Sequence, residues 1–134
     1  MITRASGTFE VKLTPQHSED KNADAVVGHM AIAKQFHGEL EAASSGHMLA
    51  VGTEVKGSAG YVAMERVTGS LQGRGGSFAL QHSGSMNRGT PTLRVTVVPD
   101  SGTGALAGIS GQLAINIVDG KHFYEFDYEL PAGD

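Results

Sequence analysis

The sequence predicts an all-β protein, a single domain over residues 1–134 that folds as a small antiparallel β-barrel. Side chains alternate between two faces along most of the chain, as β-strands require. Nineteen glycines and only 18% charged residues are typical of many short strands joined by tight turns. A chain of 134 residues can bury one hydrophobic core but not two. The segments that alternate add up to about eight strands.

The N-terminal part predicts three strands. Residues 8–13 alternate between apolar and polar, whereas residues 14–24 are polar and predict a loop. Residues 29–41 alternate again and predict a second strand, although their Ala and Leu content also fits a helix, so both interpretations stay open. Residues 45–53 predict a further short strand.

Two tight turns set the register of the central strands. A turn at Gly73–Arg74, with Gly at the position that favours positive φ, pairs Glu65 with His82. A second turn at Asn87–Arg88 continues the pairing into the next strand. Both turns place the same apolar set on one face, and a slip of one residue would reverse that face. The side chains of this face are Phe78, Leu80 and His82.

The last hairpin has the clearest turn signal, because Asp119–Gly120 is typical of a two-residue loop with positive φ. This turn pairs Ile117 with His122 and places Tyr124 two residues farther along the same face. The opposite face is polar apart from Phe123. We expect Phe123 to be an exposed aromatic suited to a subunit interface.

A glycine-rich stretch at residues 98–112 interrupts the series of hairpins. No Lys-Ser/Thr pair follows it and no helix begins after it, so a phosphate would lack its usual donors. We therefore interpret the stretch as a crossover loop in which Leu106 and Ile109 close one end of a barrel.

Charge and composition exclude several partners and cofactors. A net charge of −4 without a Lys/Arg cluster argues against nucleic acid and against an anionic membrane. No apolar run has the length of a membrane span, and the N-terminus lacks the apolar core of a signal peptide, so we expect a cytoplasmic protein. Cysteine is absent. His29 and His37 lie roughly 26 Å apart on an extended strand, so we expect no metal and no cofactor.

Several motifs resemble one protein family over essentially the whole chain. The motifs are the segments at residues 57–69, 76–82, 97–104 and 119–122, which read GSAGYVAMERVTG, GSFALQH, VVPDSGTG and DGKH. They resemble domain of unknown function 3224, a bacterial family of small single-domain proteins. The resemblance implies an eight-stranded antiparallel barrel that is allene oxide cyclase-like, or calycin-like, and similar also to the dirigent proteins.

An eight-stranded barrel has a lumen that is filled by side chains or holds one small ligand. The inward faces are mostly apolar with a few polar groups, which is typical of a small-molecule site. Small residues on these faces, Ala63, Gly69, Gly76 and Gly84, are expected to leave room. The residues that we expect to contact an apolar or aromatic small molecule are Tyr61, Phe78, Leu80, Val95, Tyr124, Phe126 and Tyr128.

Glu65 and His82 are the candidate catalytic residues. A carboxylate beside a histidine among apolar side chains can take up or deliver a proton, as a cofactor-free isomerase or cyclase requires. Alternatively, the two groups satisfy each other's hydrogen bonds and only fix the register. If the faces of the Glu65 strand were inverted, Arg66 and Gln81 would become the interior polar pair.

Three functional classes follow from this sequence. The first is a protein that binds a small apolar or aromatic molecule in the lumen, and the second is the isomerase or cyclase. The third is a filled barrel that acts as a structural or interaction module. For all three we expect a homo-oligomer, a dimer or a trimer.

Overall fold

The computed structural model describes residues 1–16 and 27–131, and these ranges form one closed antiparallel barrel in which each strand pairs with its neighbours in the chain and β1 pairs with β8. The predicted fold class is confirmed. The strands are β1 Thr3–Pro15, β2 Val27–Gly38, β3 Leu40–Gly52, β4 Ala59–Leu71, β5 Arg74–Asn87, β6 Thr90–Val97, β7 Ser110–Val118 and β8 Lys121–Glu129.

The segment predicted as strand or helix at residues 29–41 is strand, but it belongs to two strands. β2 ends at Gly38, whose φ of 109° turns the chain, and β3 begins at Leu40. The predicted loop at residues 14–24 was placed too early, because β1 continues to Pro15. The rest of that prediction, from residue 17 onwards, lies outside the described residues.

Each of the three tight hairpins turns on a pair of residues whose second member is glycine. These pairs are Gln72–Gly73, Arg88–Gly89 and Asp119–Gly120, and φ is positive at all six residues. Such turns match the twist of the flanking strands and favour glycine second. The prediction at Asp119–Gly120 is confirmed, with Ile117 opposite His122. The turn predicted at Gly73–Arg74 was one residue too late, and the turn predicted at Asn87–Arg88 was one residue too early.

A turn displaced by one residue shifts the pairing register by two residues. Glu65 therefore lies opposite Leu80, and His82 lies opposite Ala63, so the predicted direct pairing of Glu65 with His82 is wrong. The predicted faces are nevertheless right, because side chains alternate with a period of two and a shift of two preserves every face.

One end of the barrel is closed by the crossover between β6 and β7. A short 3₁₀ helix, Gly104–Leu106, brings Leu106 against the core, and Ile109 follows it; both side chains are buried. The interpretation of this stretch as a plug is confirmed. β6 and β7 meet at a single residue pair, Thr96 and Gln112, so this is the thinnest seam of the barrel.

The outer surface of β8 differs from one expectation. Phe123 is only partly exposed, and the ammonium of Lys121 lies 5.8 Å from the centre of its ring. Phe123 is therefore less exposed than predicted. Among the described residues, no helix is long and apolar enough to cross a membrane.

Candidate functional site

The interior of the barrel is divided into a filled half and an open half. In the filled half, next to the crossover plug, aromatic rings pack together: Phe78 stacks on Phe126 at 5.5 Å, and Phe36 meets Tyr124 edge-on at 5.6 Å. The open half contains a cavity of about 220 Å³ that opens at the other end of the barrel. Its lining is Phe9, Val11, Leu13, Ile32, Lys34, Met48, Tyr61, Ala63, His82, Leu93, Ile115, Ile117 and His122.

Glu65 and His82 lie beside this cavity and contact each other across the diagonal of the β4–β5 pair. Nε2 of His82 is 2.6 Å from Oε2 of Glu65, and both side chains are buried. A diagonal pair is within reach of long side chains on neighbouring strands. The predicted proximity of the two groups is therefore present, although the register that suggested it is not.

Lys34 is the third member of this cluster, and the sequence analysis did not include it. Its Nζ atom donates to the same Oε2 atom at 2.8 Å, and its side chain is only 7% exposed. Lys34 lies on β2, two strands away from Glu65, and reaches it across β3. This reach is possible because the intervening positions on β3 are the small residues Ser44 and Gly46.

The two hydrogen-bond donors, His82 and Lys34, fix the charge of Glu65. Burial by itself would raise the pKa of this carboxyl, but the hydrogen bond from His82 and the charge of Lys34 outweigh burial and lower the pKa to about 2. Glu65 is therefore a carboxylate near neutral pH and can only accept hydrogen bonds. Oε2 takes both donors, and Oε1 is buried with no partner in the described part of the chain.

The contact with Glu65 determines which ring nitrogen of His82 carries a hydrogen. Since Glu65 cannot donate, Nε2 of His82 must carry the hydrogen of their contact. In the neutral imidazole the lone pair then resides on Nδ1. The hydroxyl of Tyr61 is 3.5 Å from that atom, at the outer limit of a hydrogen bond. Burial and the charge of Glu65 raise the pKa of Tyr61, so its hydroxyl stays protonated.

The remaining wall of the cavity combines apolar side chains with a second imidazole. The ring of His122 lies 5.0 Å from the ring of Phe9, and the ammonium of Lys34 lies 5.0 Å from the same ring on its way to Glu65. The cavity is thus an apolar cup whose polar groups are Lys34, Tyr61, His82 and His122.

Six of the residues expected to contact a ligand do not line this cup. They belong to the packed core of the filled half, and this set is Phe78, Leu80, Val95, Tyr124, Phe126 and Tyr128. The hydroxyl of Tyr124 accepts from the backbone N–H of Leu40 at 2.9 Å and donates to the carbonyl of His37 at 3.0 Å. The hydroxyl of Tyr128 contacts the side chain of Gln72. Tyr61 is the member of the predicted set that does face the cavity.

The small residues expected to create space mostly do something else. At Gly69, a Cβ would collide with the backbone of Ala42 on β3, and at Gly76 it would collide with the carbonyl of Thr103 in the crossover. At Gly84 the ring of Tyr61 occupies the space. These glycines permit close packing rather than leaving room, so that expectation was wrong. Ala63 alone lines the cup.

The exposure of the side chains on β4 decides between the two possible orientations of that strand. Val62 and Met64 are about half exposed, at 53% and 50%, and Arg66 and Gln81 are exposed with them, so the inverted orientation of β4 does not occur. On the outer face, Nε2 of His29 lies 3.0 Å from Nδ1 of His47 on the neighbouring strand. No group of three or more metal-ligating side chains is found within residues 1–16 and 27–131.

Comparison with known proteins places the chain in a family. Residues 5–128 match the family described as "Protein of unknown function (DUF3224)". The chain belongs to this family. A solved structure from it, a protein of unknown function from Shewanella oneidensis MR-1, is 50% identical in sequence, with a TM-score of 0.92. The alignment covers 99% of this chain and 100% of that one. No curated protein matches.

Proposed function

We propose that this protein binds a small apolar or aromatic molecule in the open half of its barrel. The observation that carries the proposal is the cup of about 220 Å³, which is lined mostly by apolar side chains together with a few polar groups. An apolar cavity of about 150 Å³ holds benzene in an engineered protein, so this volume suits one substituted ring.

Native mass spectrometry of freshly purified protein, with denaturing extraction of anything bound, tests the proposal. A stoichiometric small molecule supports it. Ala63→Phe, which places a ring in the cup, should abolish retention, whereas Met64→Phe on the outer face of the same strand should not. If both variants retain the molecule equally, it binds elsewhere. If no molecule is retained and single-ring aromatics do not bind on titration, the barrel acts through its outer surface instead.

The same measurement counts subunits. We propose a homo-oligomer, because Leu49, Val62 and Met64 face outward on the neighbouring strands β3 and β4 and are each about half exposed. A neighbouring subunit would remove this apolar surface from water. A single-chain mass at all protein concentrations would contradict this part of the proposal.

A second candidate function is proton transfer without a cofactor, as in an isomerase or cyclase. The observation that favours it is the orientation of His82, whose Nε2 is held by the Glu65 carboxylate at 2.6 Å while Nδ1 lies 3.5 Å from the hydroxyl of Tyr61, another residue that lines the cup. In this reaction Nδ1 would take a proton from one position of the bound molecule, Glu65 would stabilise the imidazolium that forms, and the imidazolium would return the proton at another position of the same molecule.

The two functions are separated by variants of the imidazole and its carboxylate. Once a retained molecule has been identified, its conversion by the protein is measured by chromatography. The enzyme interpretation expects Glu65→Gln and His82→Gln each to abolish conversion while binding and the circular dichroism spectrum persist. Conversion that survives His82→Gln would exclude His82 as the base. If the unmodified protein binds the molecule without converting it, the result supports the binding function and contradicts the enzyme interpretation.

A further inference from the structure

The part of the cup formed by His82 and Tyr61, here called its floor, is asymmetric in its hydrogen bonding. Nε2 of His82 is occupied by Glu65, whereas Nδ1 has the Tyr61 hydroxyl at 3.5 Å as its contact in the described structure. At that separation neither group is well satisfied, since a hydrogen bond to nitrogen is normally 2.7–3.2 Å long. An oxygen atom about 2.8 Å from both would complete the triangle and satisfy both groups.

We propose that the ligand carries a neutral, weakly acidic hydroxyl, as in a phenol or an enol, and that this hydroxyl binds between His82 and Tyr61. The ligand O–H donates to Nδ1 of His82, and its oxygen accepts from the hydroxyl of Tyr61. This inference names the ligand class for the binding site proposed above and rests on that proposal.

The charges around His82 favour a neutral head group over a carboxylate. The titratable groups around its imidazole are Glu65 and Tyr61 on β4, which contact it, Lys34 on β2, which contacts Glu65, and His122 on β8, which lines the same cup. The ammonium of Lys34 is already paired with Glu65 at 2.8 Å, so this pair carries no net charge. A ligand carboxylate at the proposed position would meet the lone pair of Nδ1 with its own lone pairs, and Tyr61 would be its single donor there.

The size of the cup agrees with a single-ring phenol. The ring would lie against Phe9 and the aliphatic side chains that line the cup, while the hydroxyl reaches His82 and Tyr61. A methyl ether of the same ring keeps the apolar contacts but cannot donate. Loss of one buried hydrogen bond, with Nδ1 left unpaired, corresponds to roughly a tenfold loss in affinity.

The test is a titration of the purified protein with 4-nitrophenol and, in parallel, with its methyl ether 4-nitroanisole. We expect the phenol to bind about tenfold more tightly below its own pKa, and this preference to vanish above that pKa, where the phenolate has no hydrogen to donate. Affinity for the ether should not change over the same pH range.

Variants identify the floor as the origin of the preference. Tyr61→Phe and His82→Phe should each reduce the preference for the phenol, whereas His47→Gln on the outer face should retain it. Tyr61→Phe keeps the test decisive if His82→Phe does not fold, because within residues 1–16 and 27–131 the 3.5 Å contact with His82 is the one hydrogen-bond contact of the Tyr61 hydroxyl. Equal binding of the two probes overturns the hydroxyl assignment but leaves the cup as a binding site. Binding of neither probe, while native mass spectrometry finds a retained molecule, overturns the hydroxyl assignment alone. Binding of neither probe with nothing retained overturns both proposals.

Discussion

The ion pair between Lys34 and Glu65 offers the sharpest test of the buried cluster. The ammonium and the carboxylate are 2.8 Å apart, with side chains 7% and 0% exposed. At an effective dielectric constant of about 20, two unit charges at this distance attract by ~6 kcal/mol, and desolvation offsets part of this gain. Removing one partner leaves the other buried and uncompensated, which typically costs about 3–5 kcal/mol.

The perturbation is a double-mutant cycle of Lys34→Met and Glu65→Gln. We expect each single variant to lose about 3 kcal/mol of unfolding free energy, and the double variant to lose much less than the sum. The coupling free energy should therefore be about 3 kcal/mol. The assay is urea unfolding followed by far-ultraviolet circular dichroism, a suitable probe because the chain has no tryptophan.

The same chain supplies a matched control on its surface. Arg4 and Asp127 are joined at a similar distance of 2.7 Å, but the Arg4 side chain is 61% exposed. The cycle of Arg4→Met and Asp127→Asn should give a coupling far smaller than that of the buried pair, because water screens exposed charges. Equal couplings for the two pairs would refute the argument that burial makes the Lys34 contact strong.

Three further predictions concern stability. The pKa of Glu65 is about 2 in the folded chain, whereas its ordinary value is 4.5. The contribution of this carboxylate to the unfolding free energy is therefore fully present above about pH 4.5 and is lost as the pH falls towards 2. The unfolding free energy of Glu65→Gln should depend less on pH in this window, and parallel pH profiles of the two proteins would contradict this. Gly76→Ala places a methyl group against the crossover backbone and should lower the free energy of urea unfolding by about 1–3 kcal/mol. In the control Gly52→Ala the new methyl group has nothing within 4 Å, so the unfolding free energy should change by no more than about 0.5 kcal/mol. Equal effects of the two variants would refute the close approach at Gly76. Tyr124→Phe removes a buried hydroxyl that joins β8 to the β2–β3 turn and should lower the unfolding free energy by about 1–3 kcal/mol. Tyr61→Phe should lower it clearly less, because the Tyr61 hydroxyl has a contact of 3.5 Å. Thermal unfolding compares the two variants, and a larger loss of stability in Tyr61→Phe would refute the assigned roles.

The filled half of the barrel explains why six predicted ligand contacts lie away from the cup. Alternation shows which side chains point inward, but it does not show at which height along the barrel they meet. Phe126 and Tyr124 point inward as predicted, and they pack against rings from β5 and β2 at the closed end. The height at which the lumen stays open depends on where the crossover plug lies, and that position comes from the folded chain.

Lys34 shows that contacts within the site, like the height of side chains in the barrel, could not be predicted from alternation along the chain. The sequence contained a signal for it, because Lys34 shares the inward face of β2 with Ile32 and Phe36 and is a charged residue between two apolar ones. Its partner could not be read from the chain, since Glu65 is two strands away and the contact passes over the small residues of β3.

The sequence by itself determined the strand class, the inward and outward faces and the strongest turn, because each depends on neighbours in the chain. Alternation with a period of two defines a face, and Asp119–Gly120 defines a turn locally. Only the tertiary structure decided the register of β4 on β5, the partner of Glu65 and the open half of the lumen. A shift of two residues leaves the alternation of side chains unchanged. Registers that differ by two residues therefore fit the sequence pattern equally well, and the backbone pairing of the folded chain distinguishes them.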